Sequence, residues 1–577
     1  MNKNELEKEM TLRQKSDIAC HVFFKGVVPC FFYFFLFLLF TYPLIMKFSS
    51  HFFADTGDGL QNVWNIWWVN KAVTELHQLP WQTNYLHFPF GTSLIAHTLN
   101  PFNGFLGIIL LKFLSLTETY NFIVLFSFVI GGLTAFWLAY YLTRSYAGSL
   151  VGGFIFTFSS FHFSHAEGHL QIVALEWIPL FVLCWYVFLI KPSMGLAVLT
   201  AVVLFFVILC DYYYFFYCLL AAGLITIWTT IRRKRLLFLF RRPHSVPLLV
   251  FLTGFLLTSF PLAAALFRFS RKHELVGAHD SGLFSLDLLA AFIPGGHWRF
   301  ADVTKFYWSR LTGGIHETSV YLGISVLFLL LFVYIRRKSS QMSGLKLWYG
   351  LMVFFWVMSL GPVLQVYGER IAFVKLPYAA LEAVLPFLKL GGVPIRMMVM
   401  VTLCASVIAA SGLKILIEGR RGFNVLAFFL LALLCVEYLP KTIPRTRIQT
   451  PEYVEILKRR DGDRGLLDTV SDQTHALYYQ TIHQKPLAFG YVSRYPVDTE
   501  KRNQRIRQLL DGRDFYRLYW GYHFRYWLTE ERLDFQEIQT PIELLYVGGG
   551  IRLYDFGVAW IDPGDRLFRP GSTSPDR

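Results

Sequence analysis

Charged residues are scarce in this chain. Asp, Glu, Lys and Arg make up 16% of its 577 residues, against about 25% in a soluble domain. Hydrophobic residues make up 54%, and the mean hydropathy is +0.43. Apolar runs long enough to cross about 30 Å of hydrocarbon recur along most of the length. The composition therefore excludes an ordinary soluble protein and predicts an α-helical polytopic membrane protein.

Cysteine is also rare, with seven residues, and the last of them is Cys435. None of them forms a C-x-x-C pair or a Cys/His spacing typical of a zinc site, so a disulfide framework and a zinc ribbon are excluded. The sequence also lacks a Walker A motif, a G-x-G-x-x-G turn in a βαβ setting, a nucleophile elbow and an H-E-x-x-H motif. A soluble nucleotide-sugar site is therefore not predicted.

The basic residues exceed the acidic ones, 54 to 39, which gives a formal net charge of +15. Many of them lie in short clusters between apolar runs, at 232–244, 336–340 and 418–422. This is the pattern of cytoplasmic loops under the positive-inside rule. No nucleic-acid motif accompanies them, so the expected partner is the membrane and not a nucleic acid.

The apolar runs predict about eleven transmembrane helices. The candidate spans are 21–46, 119–142, 148–164, 171–190, 194–210, 212–231, 246–267, 318–335, 346–366, 396–416 and 422–439. The basic clusters place residues 1–20 in the cytoplasm as an N-terminal tail. The composition becomes polar after 439, which predicts a small extracytoplasmic α/β or α+β domain over 440–577, after a transmembrane domain over 21–439.

The same orientation places three long loops outside the cell membrane, at 47–118, 268–317 and 367–395. Within the first, 102–115 is apolar but short, and we expect an interfacial helix there. In the second, FSLDLLAAFIPGGHWRF predicts an amphipathic helix followed by a Pro-Gly-Gly turn. The cytoplasmic loops are short, so the functional residues are expected on the outer face.

Asp55 and Asp58 directly follow the first apolar run. Their spacing of three places both on one side of a helical turn. A carboxylate at the membrane surface could accept a proton from a hydroxyl group, which favours a catalytic function. The alternative is that one of them caps the helix that begins near LQNVWNIWW. The sequence leaves both assignments open.

A second group of titratable residues, His165, Glu167 and His169, lies in SHAEGHLQ at the end of a predicted span. Titratable groups at a membrane boundary indicate a functional site. The H-x-E-x-H spacing alternates faces on a strand and spreads by about 100° per residue on a helix, so it does not by itself predict a metal site. A solvated turn that pivots on Gly168 is the alternative.

Further binding candidates are Asp211, His297, Arg299 and Arg396. Asp211 lies at the tip between two apolar runs, beside three tyrosines that could form an aromatic belt or stack against a sugar. The histidine and the two arginines are candidates for binding a phosphate, since Arg forms bidentate contacts with it. Snorkelling of these side chains to lipid phosphate is the alternative.

With these residues in view, the chain resembles the GT-C superfamily of polytopic membrane glycosyltransferases, in a largely uncharacterised bacterial and archaeal branch. The resemblance rests on DTGDGLQNVWNIWW (55–68), YLHFPFGTSLIAHTLNP (85–101), FSSFHFSHAEGHLQIVALEWIPL (158–180), CDYYYFFY (210–217), KLGGVPIRMMVM (389–400) and ALYYQTIHQKPLAFGYVSRYP (476–496). It implies a polyprenyl-phosphate sugar as donor on the outer face. It also implies Asp58, or else Asp55, as the catalytic base, and Arg396 as a ligand of the donor phosphate.

We therefore predict an inverting glycosyltransferase of the cell membrane that acts on a glycolipid, polysaccharide or protein acceptor. His297 and Arg299 would assist Arg396, and His165 and His169 would line the acceptor side. No cofactor is required by the sequence, and a divalent metal ion joining Asp55, Asp58 and Asp211 is left open. The alternatives are a flippase for a lipid-linked glycan, which needs polar residues in mid-span, and a non-catalytic assembly protein.

Overall fold

The structure, a computed structural model, describes residues 22–235, 237–277, 279–336, 344–385, 388–418, 421–534 and 542–557. The predicted N-terminal tail, residues 1–20, lies outside the described residues. The chain divides into two compact units. The larger unit comprises the described parts of Met1–Gln78, Thr98–Lys272 and Gly277–Arg447, and the smaller unit comprises those of Leu79–His97, His273–Val276 and Ile448–Arg577.

Within the described residues, five helical segments are long and apolar enough to cross a membrane. They are Phe23–Thr41, Leu116–Thr143, Leu170–Ile190, Tyr212–Arg233 and Pro394–Ile417. The helices Ser245–Leu257 and Ser259–Lys272 meet at a 45° bend and add a sixth if they form one span. The chain is therefore a multi-pass membrane protein, while the count of eleven spans stays a prediction.

Several apolar helices are shorter than a full span. They are Pro101–Leu110, Met194–Cys210, Ile324–Arg336, Lys346–Ser359 and Val425–Glu437. At 1.5 Å per residue, the 10-residue helix Pro101–Leu110 is about 15 Å long, half the thickness of the hydrocarbon layer. It occupies the segment for which an interfacial helix was expected.

Polar side chains decide where two of the apolar helices begin. Helix Leu116–Thr143 starts with a capping box, in which Ser115 and Glu118 bond each other's backbone N–H groups. Helix Ile324–Arg336 starts six residues later than the predicted span, because the Glu437 carboxylate accepts the backbone N–H groups of Ile324 and Ser325. A buried acid thus caps this helix from a distant segment.

The structure differs from two sequence predictions, one for a loop and one for a membrane span. The stretch 284–300 forms turns and no helix, because the Asp287 carboxylate binds Tyr307 Oη and the backbone N–H groups of Leu289 and Gly368. The predicted span 346–366 ends as a helix at Ser359 and continues as a strand, Val363–Val366. That strand pairs with Glu369–Lys375 in a hairpin that the sequence did not predict.

The larger unit contains further helices beside these. They are Leu44–Lys47, Asp58–Asn70, Lys71–Glu75, Tyr146–Thr157, Ser160–His165, Phe238–Phe240, Ala301–Thr304, Lys305–Trp308, Ile315–Thr318, Pro377–Val384 and Leu388–Gly391. Three of the long segments are composite: Phe23–Thr41 contains Phe23–Val27 and Val28–Thr41, Leu170–Ile190 contains Leu170–Val173 and Trp177–Ile190, and Pro394–Ile417 contains Pro394–Met397 and Met398–Ile417. The helix that includes Val425–Glu437 begins at Arg421. The predicted span 148–164 is thus broken between Thr157 and Ser160.

The smaller unit is built on a four-stranded sheet. Its strands, in spatial order, are Gly465–Asp468, Phe524–Thr529, Ile551–Asp555 and Glu543–Gly548. The first pair is parallel and the others are antiparallel. The helices of this unit are Glu452–Lys458, Gln473–His483, Val497–Asp511 and Phe515–Trp520.

Apolar residues from the sheet and its helices form the core of the smaller unit, including Leu467, Ile506, Phe515, Trp527 and Tyr554. Two distant segments join it. Gln82–Thr83 pairs with Thr92–Ser93, and Leu275–Val276 pairs with Tyr495–Pro496. The sequence did not predict that these loop segments belong to this unit. The end of the predicted C-terminal domain, residues 558–577, lies outside the described residues.

Candidate active site

Polar residues from four segments of the larger unit converge at one place. The segments are the first-loop helix Asp58–Asn70 with its preceding turn, the histidine loop 164–171, the stretch 295–317 and the start of the span Pro394–Ile417. Each contributes at least one titratable side chain that contacts another segment. The sequence had placed these segments on the outer face, but it gave no information on their mutual distances.

Asp55 holds the start of the first-loop helix. Its Oδ1 accepts hydrogen bonds from the backbone N–H groups of Gly57 and Gly59, at 3.1 and 2.9 Å. Its own N–H donates to the carbonyl of Glu167 at 2.6 Å. Asp55 therefore caps the start of the helix, which is the alternative that the sequence left open for one of the two aspartates.

Asp58 is the first residue of that helix, and 39% of its side chain is exposed. Its Oδ2 lies 2.9 Å from His169 Nε2. Burial works to raise the pKa of Asp58, but the His169 hydrogen bond and the charges of His169 and Arg396 outweigh it, so the pKa lies below the ordinary value. Asp58 is therefore an accessible carboxylate that stays ionised at neutral pH.

His165 continues this hydrogen-bonded chain. Its Nδ1 lies 2.9 Å from His169 Nδ1. If His169 donates its Nε2–H to Asp58, its Nδ1 accepts from His165, and the lone pair of His165 is then on Nε2. That Nε2 atom is buried, has no hydrogen-bond partner within the described residues and lies 3.7 Å from Glu317 Oε2. Burial, reinforced by the charges of His169 and Arg396, holds the pKa of His165 well below its ordinary value.

Glu317 is a site residue that the sequence analysis missed. It forms a bidentate pair with Arg396, whose Nε lies 3.1 Å from both carboxylate oxygens. Burial would raise the pKa of Glu317, but the Arg396 guanidinium more than offsets this, and the pKa lies below the ordinary value. The Arg396 guanidinium also lies 5.0 Å from the centre of the Tyr213 ring. Arg396 is therefore inside the site, with its charge paired.

A second contact group joins Glu167, His297 and His316. Glu167 Oε1 lies 2.6 Å from His297 Nδ1, and Glu167 Oε2 lies 3.9 Å from His316 Nδ1. The two imidazole rings stack with their centres 5.0 Å apart. Burial is the main cause of a lowered pKa for His297, and Glu167 partly opposes it. His316 was also missed, although His316 and Glu317 directly precede an apolar run, as SHAEGH follows one.

Glycines permit two of the close approaches in the site. A Cβ on Gly168 would lie 2.9 Å from Asp55 Oδ1, and a Cβ on Gly295 would lie 2.9 Å from the Cα of Ser319. The first brings the histidine loop onto Asp55. The second brings the turn before His297 against the residues that follow His316. The predicted Pro-Gly-Gly turn therefore permits the close packing of the segments that carry His297 and His316.

Two predicted binding residues have other contacts. The Asp211 Oδ1 atom accepts the backbone N–H groups of Tyr213 and Tyr214, at 2.7 and 3.2 Å, and so caps helix Tyr212–Arg233. Arg299 is exposed, and its Nη1 donates to Thr442 Oγ1 at 3.2 Å. Among the described contacts, none joins Arg299 to the histidines, so its predicted assistance to Arg396 finds no support in the geometry.

The histidines and acids form two groups that could hold a metal ion. The His165 triad consists of His165, His169 and Glu317, and the His297 triad consists of Glu167, His297 and His316. In each triad the ligand atoms lie within 4.8 Å of one another. Two imidazoles and a carboxylate are a common ligand set for zinc and related ions. The set is different from the three aspartates that the sequence left open.

One family model and several solved structures match this chain. Residues 30–438 match the model of a family described as "Domain of unknown function (DUF6311)". The chain belongs to this family. No curated protein sequence matches the chain. The family description carries no activity, so the family does not assign one.

Several solved structures are similar to this chain in fold. A cryo-EM structure of a mutant form of the arabinofuranosyltransferase AftD from Mycobacteria has a TM-score of 0.56 and 12% identity, over 92% of this chain and 41% of that chain. A further AftD structure has a TM-score of 0.50 and 15% identity, over 91% and 40%. The apo oligosaccharyltransferase of Archaeoglobus fulgidus has a TM-score of 0.43 and 11% identity, over 88% and 69%.

The two AftD structures confirm a GT-C-like fold for the chain, as the sequence resemblance predicted. The chain spans only about two fifths of the AftD chain. At 12–15% identity the likeness concerns the fold alone, since one fold can host many activities.

Proposed function

We propose that this protein is an inverting membrane glycosyltransferase. It moves a hexosyl or pentosyl group from a polyprenyl-phosphate donor to a hydroxyl of a glycolipid, polysaccharide or protein acceptor. The observation that carries the proposal is the accessible Asp58 carboxylate, which is bonded to His169 beside a group of histidines and a buried arginine. The GT-C-like fold is consistent with it.

In the proposed reaction the acceptor oxygen attacks the anomeric carbon of the sugar. The bond between that carbon and the phosphate oxygen breaks, and the phosphate leaves with the electron pair. Asp58 takes the proton of the acceptor hydroxyl, which its lowered pKa permits because the carboxylate is ionised at neutral pH. Its hydrogen bond with His169 fixes the orientation of the carboxylate.

Positive charge is also available for the leaving phosphate. Arg396 is held by Glu317, and its charge acts on Asp58 as well. A guanidinium whose position is already fixed can stabilise developing negative charge without reorganisation. We assign His165 and His169 to the acceptor side, and we assign Asp55 and Asp211 to holding the helix starts that frame the site.

A divalent metal ion is compatible with this arrangement. The buried Nε2 atom of His297, which lacks a hydrogen-bond partner among the described residues, is a nitrogen donor of the kind a metal ion uses. Such an ion would supply positive charge to the donor phosphate when bound. The steps assigned to Asp58 and Arg396 do not depend on it.

We also propose that the site faces the outside of the cell membrane, with the N-terminus in the cytoplasm and the 440–577 domain outside. The basic clusters at 232–244, 336–340 and 418–422 support this orientation through the positive-inside rule. Substituted-cysteine labelling of intact cells at exposed position Arg299, compared with Arg233, tests it. Labelling at position 233 but not at 299 would contradict the orientation.

The activity is tested with full-length protein in lipid nanodiscs and a panel of radiolabelled polyprenyl-phosphate sugars, with cell-envelope extract as the source of acceptors. The native protein should bind one donor and transfer its sugar. Asp58→Asn should still bind the donor and lose transfer by about 10²–10⁴-fold. The matched control is Asp498→Asn, a surface acid of the smaller unit, which should transfer normally.

Two results would contradict the proposal. One is the absence of donor binding across the whole panel. The other is transfer by Asp58→Asn at the native rate, which would exclude Asp58 as the base. Size-exclusion chromatography of each variant shows whether a loss of transfer reflects a loss of the folded protein.

A further inference from the structure

We propose that the His297 triad, Glu167, His297 and His316, is a binding site for a zinc-class divalent ion. This inference does not depend on glycosyl transfer, because it concerns the occupancy of the site and not a reaction. It begins from the two groups of potential ligands in the larger unit. The charges around the two groups differ, and this difference selects one of them.

The His165 triad has its only carboxylate already neutralised. Arg396 contacts both oxygens of Glu317, so the charge of the acid and much of its lone-pair capacity are used. A divalent ion there would also lie close to a guanidinium, which repels it. The second imidazole of that triad, His169, is held by Asp58 at 2.9 Å. The Glu317 carboxylate and the His169 imidazole are therefore already engaged by Arg396 and Asp58.

The His297 triad has no such guanidinium in its described ion pairs. The ion-pair partners of Glu167 are the imidazoles of His297 and His316, at 2.6 and 3.9 Å. The Nε2 atom of His297 is buried and has no hydrogen-bond partner among the described residues, so this ring has a nitrogen available to a metal ion.

The backbone around the three ligands is held in place. The carbonyl of Glu167 accepts the N–H of Asp55, and the carbonyl of His297 accepts the N–H of Lys441 at 2.7 Å. The carbonyl of His316 accepts the Ser164 hydroxyl at 2.8 Å. These bonds leave side-chain rotation as the main adjustment needed for metal distances of about 2.0–2.2 Å. A site with ligands held this way binds with little loss of conformational entropy.

The triad also has an opening to solvent. The side chain of His316 is 34% exposed, whereas those of Glu167 and His297 are 13% and 5% exposed. An ion can therefore enter past His316. Two imidazoles and one carboxylate provide three protein ligands, which leaves a fourth position for water or for an oxygen of a ligand.

The test uses full-length protein in detergent, stripped with a chelator and titrated with Zn²⁺ by isothermal calorimetry. We expect one ion per chain. Glu167→Gln and His316→Gln should each weaken binding by at least about tenfold, because each removes a ligand. His169→Gln, the matched change in the other triad, should leave the affinity within about threefold.

Zinc X-ray absorption of the loaded protein provides a second measurement that does not depend on any variant. It should show two imidazole nitrogens and oxygen ligands, with no sulfur. The proposal is overturned by the absence of stoichiometric binding, or by binding that is lost in the His169 variant and kept in the Glu167 and His316 variants. Equal loss in all three variants would mean one ion shared by the two triads, and it would also overturn the assignment to the His297 triad.

Discussion

Asp58 accepts a hydrogen bond from His169, and the two bonded atoms, Oδ2 and Nε2, are 2.9 Å apart. Asp55, three residues earlier, instead binds the backbone at the start of the same helix. Two acids that look equivalent in the sequence therefore have different neighbours. One faces a titratable partner and solvent, and the other completes a turn.

The pH dependence of transfer should report the contact between Asp58 and His169. Since the pKa of Asp58 lies below its ordinary value of 3.8, its carboxylate stays ionised as the pH falls from neutral to about 4. Protonation of Asp58 should therefore not reduce kcat/KM in that range. His169→Ala removes the hydrogen bond and the charge, so the acid limb should move to higher pH. An acid limb that His169→Ala leaves in place would show that Asp58 is not the titrating base.

Stability should depend on Gly168 through Asp55. A Cβ at position 168 would lie 2.9–3.1 Å from the atoms of the Asp55 carboxylate, so Gly168→Ala should lower Tm. Asp55→Ala should cost about 1 kcal/mol, as the loss of a helix cap does. In the double variant the clash is gone, and the cost of Gly168→Ala should nearly vanish. Additive losses of Tm would mean that the two positions do not interact.

The pair between Glu317 and Arg396 should be much more sensitive to single changes than to a joint one. Both side chains are less than 10% exposed. Glu317→Gln or Arg396→Met leaves one buried charge without its partner, which should cost about 3–5 kcal/mol of unfolding free energy. The double variant should recover most of this loss in mixed-micelle unfolding. The exposed pair of Asp498 and Lys501 serves as the control, because its removal should have no measurable effect.

Acid should destabilise the smaller unit through His483. Burial, with a contribution from the charge of Lys485, lowers the pKa of His483 to about 3, from an ordinary value of 6.5. The unfolded chain therefore binds the proton first as the pH falls. The contribution of His483 to stability is complete above pH 6.5 and decreases from there toward pH 3. At pH 5 the loss should be about 2 kcal/mol.

His483→Gln tests this dependence, because the Gln carbonyl can still accept the Lys485 N–H that His483 Nδ1 accepts at 2.9 Å. Hydrogen exchange in helix Gln473–His483, corrected for intrinsic rates, should accelerate between pH 7 and pH 5 in the native protein and much less in the variant. Equal acceleration in both proteins would assign the acid sensitivity to other groups.

The sequence predicted the membrane class and the GT-C-like fold because long apolar runs and local motifs carry that information. It also located the histidine loop, but the H-x-E-x-H spacing gave no reliable geometry. His165 is the last residue of a short helix, and the chain then turns so that His165 and His169 meet while Glu167 contacts His297. Local periodicity does not describe a helix end followed by a turn.

The sequence could not identify the contacts that site residues make with distant segments of the chain. Glu317 was missed because its importance comes from Arg396 and His165, which are far from it along the chain. Similarly, the helix predicted within 284–300 failed because Asp287 bonds to Tyr307 and Gly368, contacts that outweigh local helix propensity. Both errors concern tertiary hydrogen bonds formed by acids.

The pairing of Glu317 with Arg396 has a consequence for biosynthesis. The ribosome makes Glu317 well before the segment Pro394–Ile417 that carries its partner. Until that segment inserts, the nascent chain holds an acid whose burial is not compensated. We expect chains truncated before Pro394 to be degraded by membrane quality control, whereas chains extended past Ile417 should persist. Pulse-chase labelling of the two truncations in cells would show whether the order of insertion limits the yield of this protein.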